Sequence, residues 1–210
     1  MLRAATLGLA ALLAIGVGGA QACKGSKVLF SDDFRQVDDS WGAQGDAVTI
    51  EDGKVKVKAG PSNAFRLKYG GTLFDDADVC ATLRMPNDVK SDTEPYAGII
   101  FWAQDYSNFY VWQISAIGTA SLWREVKGKW INVLDWRKVP AIKLGAGAKN
   151  VLRVVTRKGS VDVYVNDDKV GTVKAPMPDG GGEIGFLAVS EKSKRDAWKF
   201  SDLKVTSVEP

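Results

Sequence analysis

The chain has 210 residues, of which 45% are hydrophobic and 25% are charged, and its formal net charge is +3. This composition excludes a disordered or fibrous chain, and the small charge argues against a nucleic-acid partner. Because the sequence contains 0 histidines, Ser-His-Asp catalysis and His-ligated metals are excluded. Frequent glycines and the lack of helical periodicity predict one all-β domain.

The first 22 residues are predicted to be a cleaved signal peptide. Arg3 supplies the positive start, residues 7–17 form an apolar core, and Ala20-Gln21-Ala22 matches the small-residue cleavage pattern. Cleavage would leave residues 23–210 as a single exported domain, periplasmic or extracellular. No later apolar run is long enough to span a membrane, so no transmembrane segment is expected.

Cys23, the first residue of the predicted mature chain, has two alternative fates. An oxidising export compartment favours a disulfide with Cys80, the other of the 2 cysteines. A lipoprotein would carry its lipid on Cys23 instead, but Ala20 and Gln21 fit that processing pattern poorly. The two fates compete for one sulfur, and the disulfide is preferred.

Short alternating segments predict strands along the rest of the chain. Asp52-Gly53 forms the turn of a hairpin within residues 47–59, and the polar residues 86–97 form a long loop. Further strands are predicted at 29–34, 65–69, 77–85, 150–156, 160–165, 170–174, 183–189 and 198–207. About twelve to fourteen strands without a helix predict two antiparallel sheets packed face to face.

The stretch from Gly98 to Trp136 contains five of the 7 tryptophans and predicts four strands joined by three hairpins. With a four-residue loop at 105–108, a two-residue turn at 117–118 and a three-residue loop at 127–129, alternation separates two faces. One face is apolar and is predicted to be core: Ile99, Phe101, Ala103, Tyr110, Trp112, Ile114 and Trp123. The other mixes aromatic, aliphatic and polar side chains: Ile100, Trp102, Gln104, Phe109, Val111, Gln113, Ser115, Leu122, Arg124, Trp130 and Asn132.

The chain resembles the concanavalin A-like lectin/glucanase jelly roll in five segments: FSDDF, AGIIFWAQDYSNFYVWQISAIGTASLWREVKGKW, VDVYVNDDKVG, GEIGFLA and WKFSDLKVT. It is most similar to the laminin-G-like and 3-keto-disaccharide-hydrolase-like branches of bacterial secreted proteins. The resemblance implies a first strand paired near the last and a concave sheet face where many members bind sugars. It leaves the function open, because lectins, glycosidases and structural domains share the fold.

Laminin-G-like domains often hold calcium, so the resemblance makes Ca²⁺ a candidate ligand, although no cofactor is required. Asp32, Asp33 and Asp202, near the paired termini, are the candidate oxygen donors. Turn and capping roles are the preferred interpretation of these carboxylates.

Glycoside hydrolysis needs two carboxylates that point into one groove. The sequence has no Glu-x-Asp-x-Glu strand, and its paired acids are adjacent residues that point oppositely in a strand. Glu94 and Glu125 are the weak catalytic candidates, with Asp135 and Glu183 as further carboxylates. A structural ion pair is the preferred interpretation of Glu125.

The mixed face has better material for binding than for catalysis. Aromatic rings stack on sugar faces, while amide and guanidinium groups pair with hydroxyls. The predicted ligand-binding residues are Trp102, Gln104, Gln113, Arg124, Trp130 and Asn132. The sequence therefore predicts a glycan-binding domain without evident catalytic machinery. A glycoside-active hydrolase of the 3-keto-disaccharide-hydrolase-like type and a structural or protein-interaction module of the cell envelope are the alternatives.

Overall fold

A computed structural model describes residues 22–89 and 94–208, so the predicted leader up to residue 21 and part of the loop 86–97 lie outside the described residues. The described part contains one 3₁₀ turn, Asp39–Trp41, and fourteen strands. In chain order the strands are β1 (Val28–Asp32), β2 (Val48–Glu51), β3 (Lys54–Lys58), β4 (Ala64–Lys68), β5 (Asp78–Arg84), β6 (Tyr96–Asp105), β7 (Asn108–Ser115), β8 (Thr119–Val126), β9 (Lys129–Lys138), β10 (Lys149–Arg157), β11 (Ser160–Val165), β12 (Asp168–Lys174), β13 (Glu183–Val189) and β14 (Ala197–Thr206).

The strands form two antiparallel sheets, which confirms the predicted all-β jelly-roll sandwich. The 8-stranded sheet has the order β12-β11-β10-β5-β14-β3-β2, with β1 also paired to β14. The 6-stranded sheet has the order β4-β13-β6-β7-β8-β9. Consecutive hairpins supply half of the strand pairs, and β13 and β14 insert between strands from earlier in the chain.

The core lies between the sheets and is built by alternating side chains from both. Val55 and Val57 of β3 are fully buried between half-buried lysines, as the period of a strand requires. The rings of Phe186 on β13 and Phe200 on β14 stack with centroids 4.1 Å apart, joining the two sheets. Trp112 and Trp198 are also fully buried there.

The first strand, β1, and the last strand, β14, pair with each other in the 8-stranded sheet. β14 has a register shift between Ser201 and Lys204, with its first half paired to β3 and its second half to β1. The predicted pairing of the first strand with the last is therefore confirmed. Among the described residues there is no helix with the length and apolar character that crossing a membrane would require.

A disulfide between Cys23 and Cys80 fastens the start of the domain to β5, with the two Cα atoms 5.5 Å apart. Beside it the buried carboxylate of Asp78 accepts two hydrogen bonds of 2.7 Å from the guanidinium of Arg153. The same carboxylate accepts from the backbone N–H of Lys24 at 2.8 Å. Because its sulfur is bonded to Cys80, Cys23 cannot carry a lipid in this state.

Candidate functional site

The outward face of the 6-stranded sheet carries the side chains that alternate with the core. Ile99, Tyr110 and Trp112 pack into the main core, whereas Ile100 and Phe109 belong to a second apolar cluster on the opposite side. We call this second side the concave face. The other buried members of its cluster are Ala103, Val111 and Leu187.

One ion pair shows that this face is curved. Arg66 on β4 contacts Glu125 on β8, with the nitrogen and oxygen 2.8 Å apart. Four strand spacings separate these positions in the sheet, roughly 19 Å if the sheet were flat. Since the Arg66 guanidinium also lies 5.7 Å from the Trp130 ring centroid on the edge strand β9, the sheet must curl so that its two edges approach.

The middle of the concave face is filled by its own side chains. Ile100 and Val111 are 0% exposed and Phe109 is 2% exposed. The Arg66 guanidinium covers the Phe109 ring at 5.6 Å. An extended ligand therefore has no access to the centre of the sheet in this conformation, and the accessible part of the face lies along β9.

Two tryptophans remain accessible on β9. Trp130 is 43% and Trp136 is 38% exposed. Trp130 makes edge-to-face contacts with Phe109 and Trp123, and Trp136 makes one with Tyr96 at 5.5 Å. Neighbouring rings thus hold both indoles in place while one side of each stays in solvent.

Polar groups lie between these rings. The amide of Asn132 donates to the carboxylate of Asp135 at 2.7 Å, and both residues are exposed. Burial raises the pKa of Tyr96 above its ordinary value of 10.0, so its hydroxyl stays a neutral donor and acceptor at physiological pH. We call this part of the concave face, formed by Trp130, Asn132, Asp135 and Trp136 of β9 with Tyr96 beside them, the aromatic strip. Its amide, carboxylate and phenol groups can pair with hydroxyl groups.

Gln113 lies on the floor of the concave face and is 4% exposed. Its amide nitrogen donates to Ser121 Oγ at 3.1 Å, while its Oε1 has no hydrogen-bond partner in the described residues. Gly98 stands opposite Gln113, and a Cβ there would lie 2.1 Å from the Trp112 carbonyl oxygen. Only glycine allows the strands to approach this closely.

The predicted face was wrong for Trp102. A register shift between Phe101 and Asp105 interrupts the β6–β7 pairing, and Trp102 has a φ of 50°. This bulge turns the Trp102 ring into the main core, where it is 3% exposed and its Nε1 donates to the Asp75 carbonyl at 2.7 Å. Ala103, expected in the core, moves to the concave face.

The predicted faces of β8 were wrong because the preceding turn has three residues, 116–118, where two were expected. Ile114 pairs with Ala120 and Trp112 with Leu122, which places Leu122 in the core. Trp123 and Arg124 consequently exchange faces: Trp123 joins the concave cluster, and Arg124 stacks over the Tyr110 ring at 5.1 Å.

Trp130 and Asn132 nevertheless lie on the concave face, as expected. Val126 pairs with Lys129, so the next turn is shorter by one residue than predicted and the two errors cancel. Gln104 is exposed, and its amide donates to the Gly181 carbonyl at 2.9 Å, away from β9. The structure thus brings Gln113, Trp130 and Asn132 together and separates them from Trp102, Gln104 and Arg124.

Two carboxylates of the concave face are neutralised by cations. Glu125 is bound by Arg66, and Glu183 is bound by Lys68, whose side chain is 12% exposed. Glu94 is exposed beside residues 90–93, outside the described part, and Asp135 accepts from Asn132. The expected structural ion pair of Glu125 is therefore observed.

The three candidate calcium ligands have other roles. Asp32 accepts from the Phe34 backbone N–H and from Trp41 Nε1, both at 2.7 Å. Asp33 accepts from the backbone N–H of Arg35 at 3.1 Å, and Asp202 accepts from the Ser201 hydroxyl at 2.9 Å. All three candidates line a depression of about 1540 Å³ beside the disulfide, but the described residues contain no group of three or more His, Cys, Asp or Glu placed to hold a metal ion.

Sequence reasoning missed Trp136, Tyr96, Trp123 and Arg66 as residues of this face. Trp136 follows Trp130 and Asn132 at even spacing on β9, so simple alternation would have placed it on this face, and the two register shifts between Asn132 and Arg137 together preserve that parity. Arg66 gave no such signal, because its contribution depends on the curl of the sheet.

No family model and no curated protein matches the chain. Solved structures do. A carbohydrate-binding module, CBM66 from Bacillus subtilis, is 14% identical with a TM-score of 0.58, covering 73% of this chain and 86% of that one. The carbohydrate recognition domain of Emp46p, in its potassium-bound form, is 13% identical with a TM-score of 0.62, covering 85% and 97%.

The catalytic domain of an endo-1,3-beta-glucanase (laminarinase) from Thermotoga petrophila is 8% identical with a TM-score of 0.60, covering 85% of this chain and 96% of that one. Binding domains and an enzyme thus share the architecture, as the resemblance in the sequence implied. At these identities the likeness concerns the fold alone, and the fold of this chain is the jelly-roll sandwich of these proteins.

Proposed function

We propose that the protein is an exported glycan-binding domain of the concanavalin A-like type, related to the laminin-G-like and 3-keto-disaccharide-hydrolase-like branches, and that it binds without catalysis. The observation that carries this proposal is the pair of accessible indoles, Trp130 and Trp136, on the concave side of β9. Exposed tryptophans that neighbouring rings hold in place suit stacking on a sugar ring, because little side-chain entropy is lost on binding.

The spacing of the two indoles favours an oligosaccharide over a single sugar. Trp130 pairs with Glu125, whereas Arg137, the residue after Trp136, pairs with Ala120, so two register shifts in β9 shorten the spacing of the indoles along the sheet to roughly 14 Å. Asn132 and Asp135 lie between them and offer donors and acceptors to hydroxyl groups. The carbohydrate-binding names of two structural neighbours are consistent with this use of the face.

The hydrolase alternative rests on Glu125 and Glu183, which belong to the concave face. Each is engaged by a cation, so the Arg66–Glu125 contact would have to open before Glu125 could serve as a general acid. Binding without catalysis requires no such rearrangement and is preferred for that reason.

A glycan array tests the proposal. The 210-residue chain is expressed and recovered after export. Mass spectrometry then checks whether the recovered protein begins at Cys23 and whether Cys23 and Cys80 form a disulfide. We expect retention of at least one oligosaccharide class and no release of reducing ends from it. Hydrolysis of a retained glycan would establish the enzyme alternative, whereas no retention and no hydrolysis would leave the structural module.

A further inference from the structure

One edge strand and its hairpin carry a local excess of positive charge. Residues 126–139 contain Lys127, Lys129, Arg137 and Lys138 but only one acid, Asp135, so their net charge is 4 − 1 = +3. All four cations are exposed and lie beside the two accessible tryptophans.

None of these four cations forms an ion pair with a carboxylate in the described part of the chain, in contrast to Arg66, Lys68 and Arg153. Lys138 donates to the Ile117 carbonyl at 2.9 Å, and Arg137 approaches the Asp135 carbonyl at 3.4 Å. Their charges thus remain uncompensated by protein groups and available to an anionic ligand.

The cations stand at the two ends of the aromatic strip. Lys127 and Lys129 flank Trp130 at the hairpin, and Arg137 and Lys138 follow Trp136 at the far end of β9. Lys138 pairs with Thr119, whose hydroxyl bonds Ser115 on the concave side, so Lys138 shares the face of the indoles. Lys129 pairs with Val126 and Arg137 with Ala120, so these two cations lie on the opposite face of the same edge strand. A ligand that lies along the strip therefore meets positive charge at both ends.

We propose that the β9 strip selects acidic oligosaccharides, whose carboxylate or sulfate groups pair with Lys127 and Lys138 while their rings stack on Trp130 and Trp136. Lys129 and Arg137, on the opposite face of the same edge strand, add to the positive potential that attracts these ligands. This inference rests on the proposed glycan binding and adds the ligand class. Stacking on the indoles does not depend on the charge of the sugar, so the preference for acidic over neutral oligosaccharides comes from the cations.

Two other occupants fit the strip less well. Single-stranded nucleic acid also uses rings and cations, but its evenly spaced phosphates would pass the Asp135 carboxylate, whereas sugar hydroxyls can donate to it. A second copy pairing antiparallel through the free edge of β9 would set Lys129 against Lys138, and like charges directly opposite each other disfavour such pairing.

The test compares binding of matched probes by the exported protein. The probes are chondroitin sulfate, unsulfated chondroitin and carboxyl-reduced chondroitin, together with polygalacturonate and its carboxyl-reduced form. We expect acidic probes to bind at least about tenfold more tightly than their neutral forms, with the difference shrinking between about 50 and about 300 mM NaCl. Comparing the sulfated probe with the probes that carry only uronate carboxylates shows whether sulfate or carboxylate is preferred.

Matched charge variants locate the effect. The quadruple change K127Q/K129Q/R137Q/K138Q should abolish the preference and leave neutral binding in place. The control K54Q/K56Q/K58Q/K199Q removes the same charge from the paired strands β3 and β14 of the other sheet and should keep the preference.

Neutral and acidic probes bound equally would overturn the inference while leaving glycan binding intact. No retention of any glycan would overturn glycan binding itself. Tighter binding of an oligothymidylate than of every glycan would assign the strip to another occupant and overturn the inference. A dimer by light scattering that the double variant Trp130→Ala and Trp136→Ala dissolves would do the same.

Discussion

The guanidinium of Arg66 lies 2.8 Å from the carboxylate of Glu125. This contact joins β4, at one edge of the 6-stranded sheet, to β8, which lies four strands away in the sheet. The Glu125 side chain is 6% exposed and that of Arg66 is 25% exposed. This contact closes the concave face over its apolar floor and leaves β9 as the accessible part.

Replacing Glu125 by Gln should destabilise the fold. The variant leaves Arg66 charged and partly buried without its partner, at a cost of about 2 kcal/mol in the free energy of unfolding. Urea denaturation measures this cost. Glu51→Gln is the matched control, because it breaks an exposed pair with Lys56 and should cost below about 0.5 kcal/mol. Equal effects of the two variants would contradict the closing role of Arg66 and Glu125.

Trp102→Ala should cost about 3 to 5 kcal/mol of unfolding free energy, because it removes a large ring from the core. Trp136→Ala, which removes an exposed ring, should cost at most about 1 kcal/mol. Thermal or chemical unfolding compares the two variants. Similar stability in both would place the Trp102 ring outside the core and restore the face expected from simple alternation.

Removing the disulfide with the double change Cys23→Ala and Cys80→Ala should lower stability by about 4 kcal/mol on the loop-entropy model. The bridge spans 57 positions and holds Lys24 beside Asp78. The midpoint of urea unfolding measures the loss, and the unaltered protein under reductant should match the variant. A reductant without effect on the unaltered protein would show that the bridge is not formed.

The stability of the fold should depend on acid through Asp38. Hydrogen bonds from the backbone and hydroxyl of Ser40, then from Tyr69, lower the pKa of Asp38 below its ordinary value of 3.8. Since the folded pKa is the lower one, the contribution of Asp38 is complete above the unfolded pKa and is lost as pH falls through the folded pKa.

Asp38→Asn should therefore lower stability near neutral pH, and the loss should shrink as the pH falls below 3.8. Melting temperatures measured across this range provide the test. A difference that stays constant from neutral pH to pH 2 would show that the carboxylate charge has no part in it.

The architecture was predictable because strand alternation and turn residues act locally. Asp52-Gly53 turns between β2 and β3 as expected, and the predicted strands of the second half correspond to β10 to β14. The side-chain parity of β6 and β7 was also correct from Ile99 to Phe101 and from Phe109 to Ser115. Both results follow from a period of two that holds wherever pairing is regular.

The site was less predictable, because one extra or missing residue exchanges the faces of every residue that follows. The bulge at Trp102 depends on contacts with Asp75, which is distant in sequence, and with Tyr110, which lies on the neighbouring strand β7. The length of the turn before β8 similarly reversed Trp123 and Arg124. The approach of Arg66 to β8 and β9 results from sheet curvature, which no local pattern encodes.

The central claim is that the exposed indoles of β9 hold a glycan. Isothermal titration of the oligosaccharide that the array retains tests it most directly, using the double variant Trp130→Ala and Trp136→Ala. Ile131→Ala is the control, because Ile131 is 47% exposed on the same strand but pairs with Arg124 on the opposite face. We predict at least about tenfold weaker binding for the tryptophan variant and unchanged binding for the control. Unchanged affinity in a folded double tryptophan variant would contradict the claim.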